Sequence, residues 1–168
     1  MKYKKSQLYL FAAFILIGIA FMISSARQIE LPKKVSAFDS IVSNFRTEAP
    51  KAVNYAMEEN KNVTEEMIRF SGQFHDYTRT RDQSIGFVYI LFAENEILLQ
   101  NYAGENLVVS GIPDINDNSA RIIPRLSNHI SAKIGGQNYD FNAQDGIVEI
   151  KAVFRSVKGK DVRISVIR

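Results

Sequence analysis

Ile85-Gly86-Phe87-Val88-Tyr89-Ile90-Leu91-Phe92-Ala93 is the stretch on which the fold turns. It carries no charge and is rich in β-branched and aromatic side chains, so it predicts a strand; the run is apolar on both faces, which suits a central strand. Glu94-Asn95 turns the chain into a second strand, Glu96 to Tyr102. Asn106 to Ser110 predicts a short third strand, followed by a polar loop through Asn118. His129 to Ile134 and Gln137 to Phe141 flank Gly135-Gly136, a hairpin signal. In the last hairpin Val148, Ile150, Ala152 and Phe154 alternate with Glu149, Lys151, Val153 and Arg155. Lys158-Gly159-Lys160-Asp161 then turns into Val162, Ile164 and Val166. One face of this hairpin is expected buried and the other wet. Residues 83–168 thus predict an antiparallel β-rich head of six or seven strands.

Working back from that run, the period changes to helical. Val35, Phe38, Val42 and Phe45 share one helical face. Pro50 either kinks this helix or opens a second one, with Val53, Ala56 and Met57 on its buried side. Glu58-Glu59-Asn60-Lys61-Asn62 reads as a loop, and Asn62 with Glu65 has the capping-box spacing that starts another helix. Val63, Met67, Phe70, Phe74 and Tyr77 form its apolar stripe, two heptads long. That length is too short for a coiled coil, so packing on the chain's own sheet is expected rather than packing on another subunit. Gly72 in mid-helix signals a close approach or an early end. The fold class is α+β: a membrane-spanning N-terminal helix, a helical segment over 35–82, and the sheet.

The charge balance, 21 Lys and Arg against 18 Asp and Glu, looks basic until it is located. Lys2, Lys4, Lys5, Arg27, Lys33 and Lys34 face only Glu30 in the first 34 residues, and the remainder is slightly acidic. Without a basic cluster on the folded part, nucleic acid is not an expected partner. The surplus frames an uncharged run, Leu8 to Ile23 (LYLFAAFILIGIAFMI), which extends through Ala26. As a helix it spans about 28 Å, close to the thickness of a bilayer hydrocarbon core. Residues 7–26 therefore predict a single-pass transmembrane helix with the lipid bilayer as partner, and 27–34 a linker. Three lysines directly ahead of the run favour a cytoplasmic N-terminal side and an extracytoplasmic C-terminal domain. The sequon Asn62-Val63-Thr64 makes Asn62 a glycosylation acceptor on that side.

Three fates are open to the N-terminus: an uncleaved anchor, a secretory signal cut near Ser24-Ser25-Ala26, or a cut ahead of the helix. The junction Lys4-Lys5-Ser6-Gln7, followed at once by the apolar run, resembles the class III signal peptide of archaeal type IV pilin-like proteins. The resemblance covers about the first 25 residues, and beyond them the general layout of helical stalk and β-rich head. It implies that a prepilin-type peptidase cleaves between Ser6 and Gln7, with Lys5 in the recognition motif and 1–6 as leader. It also implies association of like subunits through the N-terminal helix, where Ala12, Ala13, Gly18 and Ala20 permit close approach. Bacterial pilins carry glutamate at the fifth mature position, and here Phe11 stands there.

Chemistry is sparse. The absence of cysteine removes disulfides, thiol nucleophiles and cysteine-ligated metals. Neither a GxGxxG nor a GxxxxGK[ST] string is present, so no cofactor is expected. Asp114, Asn116 and Asn118 begin like a calcium loop, but Ser119 replaces the glycine turn and Arg125 the bidentate glutamate. His75 beside Asp76, and His129 beside Asn128, lack a nucleophile signature nearby. Glu58-Glu59 and Glu65-Glu66 are adjacent and do not face each other on a helix. The expectation is a membrane-anchored surface protein with a structural or assembly role, not an enzyme. The second reading is an uncleaved anchored ectodomain that binds an envelope or extracellular partner.

Overall fold

The computed structural model describes residues 36–167. The transmembrane expectation over 7–26, the linker and the leader lie outside them. Among the described residues no helix is long and apolar enough to cross a membrane.

Ser36 opens the first helix, α1 (Ala37–Glu58), by accepting the Asp39 N–H on its hydroxyl at 3.1 Å. Phe38, Ile41, Val42, Phe45, Ala49, Val53 and Ala56 are buried on one continuous face. Pro50 neither breaks α1 nor opens a new helix. It sits on the exposed face, and the buried stripe keeps its phase across it. After a loop in which Asn60 takes φ +51°, Asn62 caps α2 (Val63–Arg81), its Oδ1 accepting from the N–H of Thr64 (2.9 Å) and Glu65 (3.1 Å). The stripe packs inside the chain: Met67 and Phe74 are buried, with Val63, Phe70 and Tyr77 against the same core. Gly72 does not end the helix. A Cβ there would meet only the Tyr102 hydroxyl, at 3.9 Å.

Among the described residues eight strands form two sheets rather than one of six or seven. β1 (Ile85–Phe92), β2 (Glu96–Tyr102), β4 (Ser119–Pro124), β7 (Glu149–Lys158) and β8 (Asp161–Ile167) make a five-stranded antiparallel sheet in the order β4-β2-β1-β7-β8. β3 (Val108–Val109), β5 (His129–Ile134) and β6 (Gln137–Asn142) make a second sheet in the order β3-β5-β6. The third strand shrinks to Val108–Val109, and Leu107 and Ile115 bridge beside it. β1 is central, and its two rows serve two cores. Phe87, Tyr89 and Leu91 join the helices, whereas Val88, Ile90 and Phe92 join Leu107, Ile130, Ala132, Ile134 and Phe141 of the second sheet and its approach.

The last hairpin departs from the one-wet-face expectation. β7 is buried on both sides at its middle, with Ala152 and Phe154 toward the helices and Val153 toward the second sheet, because it lies next to β1. Its partner β8 is an edge strand and stays largely exposed. Phe45 of α1 is the hub of the helix-side core, 5.2 Å from the ring centres of both Phe74 and Phe154 and 5.7 Å from that of Phe87. Tyr89, fully buried, donates its hydroxyl to the Met67 carbonyl at 3.1 Å and so ties β1 to α2.

Candidate functional site

A polar cleft forms where the end of α2 passes the β1 and β2 strand ends. His75 faces the sheet from α2, and Arg79 lies one turn further on. The His75 ring stacks on Tyr102 at the end of β2, with centroids 4.4 Å apart and an interplanar angle of 14°. Tyr102 in turn packs on Phe87 at 5.1 Å. Gly86 brings the β1 and β2 backbones together, since a Cβ there would lie 2.7 Å from the Tyr102 carbonyl oxygen. On the far wall, Asp117 accepts the Gly104 N–H on Oδ1 (2.8 Å) and the Asn118 side-chain N–H on Oδ2 (2.7 Å). These groups line a cleft of about 290 Å³.

Its electrostatics follow from position. Burial, and after it the Arg79 guanidinium, hold the His75 imidazole below its ordinary value, against the opposite pull of Asp76 and Asp117. Near neutral pH the cleft therefore presents a neutral imidazole, a guanidinium and a hydrogen-bonded carboxylate. Ser84 also lines it, but its hydroxyl is engaged by Asp82 Oδ1 (2.7 Å) and Ser156 Oγ (2.9 Å) rather than by His75. Such an arrangement suits polar recognition and does not assemble a nucleophile with its base.

The residues singled out from sequence fall in separate places. Lys5, Ser6 and Gln7 lie outside the described residues. Asn62 is exposed, and its Oδ1 is the cap of α2; Thr64, the third sequon residue, is 2% exposed and donates its hydroxyl to Glu96. In the Asp114 to Asn118 loop, Asp114 and Asn116 are exposed while Ile115 is buried between them. Asp117 is committed to Gly104 and Asn118, and no group of three His, Cys, Asp or Glu side chains that could hold a metal occurs among the described residues. His129 is exposed, 3.5 Å from Asp140 on the paired strand β6, well away from His75 in the fold.

Sequence reasoning missed Arg79, Tyr102 and the place of Arg125. The cleft had one signal, a glycine at position 86 inside an otherwise bulky strand. Arg125 sits one residue beyond β4 and binds three segments: Nε donates to Asn128 Oδ1 (2.9 Å), Nη1 to the carbonyls of Ala93 (2.7 Å) and Ile147 (3.1 Å), and Nη2 to that of Gln144 (2.7 Å).

No protein-family model matches the chain, and neither do the curated proteins or the solved structures.

Proposed function

We propose that this chain is a single-pass, membrane-anchored, pilin-like surface protein with a structural or assembly role, its folded part outside the cytoplasm. The observation that carries the proposal is the uncharged run Leu8 to Ala26 directly behind Lys4-Lys5-Ser6-Gln7. The order of elements in residues 36–167, two helices followed by antiparallel strands, agrees with the helix-then-sheet order of the resemblance, although both helices pack on the sheet rather than forming a separate stalk. In this reading the lipid bilayer holds the N-terminal helix, a prepilin-type peptidase removes residues 1–6, and like subunits associate along the helix. The proposal assigns no catalytic role to the head.

Mass spectrometry of the N-terminal peptide of the protein recovered from its native membrane tests the reading. A chain beginning at Gln7 is the expected result; one beginning at Met1 or Arg27 overturns the processing. The cleft at His75, Arg79 and Asp117 favours a second reading, an anchored ectodomain that binds a polar partner. An intact Met1 terminus on a membrane-held protein would turn the choice to it.

A further inference from the structure

The five-stranded sheet ends in two unlike edges. β4 closes with Pro124, which has no N–H to offer a neighbour. β8 is seven residues long, contains no proline, and among the described residues pairs only with β7. The direction of its free backbone groups follows from one bond: the Val157 N–H donates to the Ser84 carbonyl at 3.2 Å, toward β1. By strand alternation Ser156 turns its polar groups to Arg163, and Val162, Ile164 and Val166 turn theirs to the open side. On the same part of the sheet Val162 is 50% exposed, and Val157, directly opposite it on β7, is 42% exposed. On the other face Asp161 stands opposite Lys158 and Arg163 opposite Ser156. Neither Asp161 nor Arg163 forms an ion pair among the described residues.

We propose that β8 is the docking edge for a second copy of this chain, paired antiparallel about a two-fold axis through Val162. That register sets Asp161 of each copy directly opposite Arg163 of the other, twice over. It carries the row Val157–Val162 across the axis into the same two residues of the second copy, so four exposed valines form one continuous band. On the opposite face the charges alternate from Lys158 to Asp161 to the second copy's Arg163. The outward N–H and C=O of Val162 meet their own equivalents in a hydrogen-bonded pair. Other centres fit worse: pairing about Arg163 sets two guanidinium groups face to face, and pairing about Ile164 leaves Arg163 opposite Ser165. A negative and a positive residue flanking one valine complement themselves only under antiparallel pairing, so the second copy is the occupant this pattern selects. The inference concerns residues 156–164 and does not rest on the membrane anchor or on N-terminal processing.

The chain has no native cysteine, which makes a direct test available. In the full chain in detergent, Val162→Cys places two thiols on the axis, where paired Cα atoms about 5.5 Å apart lie within disulfide reach. Mild oxidation is expected to give a cross-linked homodimer, and Leu126→Cys, at a position 92% exposed but far from β8 in the fold, to give only background. Adding Asp161→Arg to the Val162→Cys chain is expected to slow linking about fivefold, through two like-charge contacts. Adding Arg163→Asp as well is expected to restore the rate to within about twofold, since the pairs re-form with their signs exchanged. Linking at Val162→Cys no faster than at Leu126→Cys overturns the proposal. A double charge exchange that stays as slow as the single one overturns the register. A link in native membranes to a different protein, with no homodimer, gives the edge to another partner and overturns the choice of occupant.

Discussion

Removing the Arg125 guanidinium is the most informative single perturbation of the head. Its four hydrogen bonds gather the end of β1, the loop before β5 and the approach to β7 onto one side chain, beside the Phe92–Glu149 end of the β1–β7 ladder. The acceptor at Ala93 belongs to a residue 8% exposed, so losing its charged donor costs about 1–3 kcal/mol. Gln144 and Ile147 are exposed, and water replaces much of what their carbonyls lose, for about 0.5 kcal/mol each. The guanidinium also stands over the Phe92 ring at 5.8 Å, a contact worth about 0.5–1 kcal/mol. Arg125→Ala is therefore expected to lower the stability of the folded head by about 3 kcal/mol. Arg125→Lys is expected to recover less than half of that, because one ammonium group cannot reach carbonyls on three segments in a planar fork. Urea unfolding of the full chain followed by circular dichroism reads both, and a loss of that size moves the midpoint by about 1–2 M. Leu126→Ser, at the neighbouring position, is expected to stay within about 0.5 kcal/mol. An Arg125→Ala chain within that same margin, or an Arg125→Lys chain equal to the parent, would refute the view that the fork joins these loops.

Three further outcomes follow from single contacts. Gly72→Ala is expected to stabilise the chain by about 0.5–1 kcal/mol, visible as a raised thermal midpoint, because helix propensity improves and the added Cβ meets only Tyr102 at 3.9 Å. Asn62→Ala is expected to cost about 1 kcal/mol through its two lost cap bonds, and Asn62→Asp to keep the stability while removing any glycan mass, measured by melting and by intact mass. The fold holds the His75 imidazole below its ordinary value, so it favours the neutral form. The stability this residue contributes is complete above the unfolded value near 6.5 and is lost as pH falls through the lower folded value. The slope of stability against pH in that window is expected to flatten in His75→Gln; an unchanged slope would show that His75 is not its source.

Much of this architecture was legible because burial writes itself as period. The α1 stripe continues through Ala49, Val53 and Ala56 without a phase shift, and this continuity accounts for the single helix where Pro50 left a kink or a second helix open. The two apolar rows of β1 marked a central strand, but not the second sheet that covers Val88, Ile90 and Phe92, since a helix and a sheet ask the same of those residues. β4 was invisible for a related reason. Ser-Ala-Arg-Ile-Ile-Pro is half-buried at an edge, where no continuous apolar run is required and a terminal proline is tolerated.

The polar organisers were hidden for a different reason, because their partners are remote in sequence and carry no pattern. Asn101 is fully buried and donates to the carbonyls of Glu105 (2.7 Å) and Ile115 (2.9 Å), closing the passage from β2 toward the second sheet. Arg125 does the same work at the opposite end of the strands, and as the residue that spoils a calcium loop it is also the residue that fastens the loops around it. Main-chain carbonyls are everywhere in a sequence, so nothing in the order of residues marks which of them a side chain will reach. The cleft shares this property: Arg79 follows His75 by one turn of α2, Tyr102 closes β2 and Asp117 precedes β4, and no spacing in the sequence joins them. Apolar period thus fixes the layers of this head, and a few buried polar side chains fix how the loops between them close.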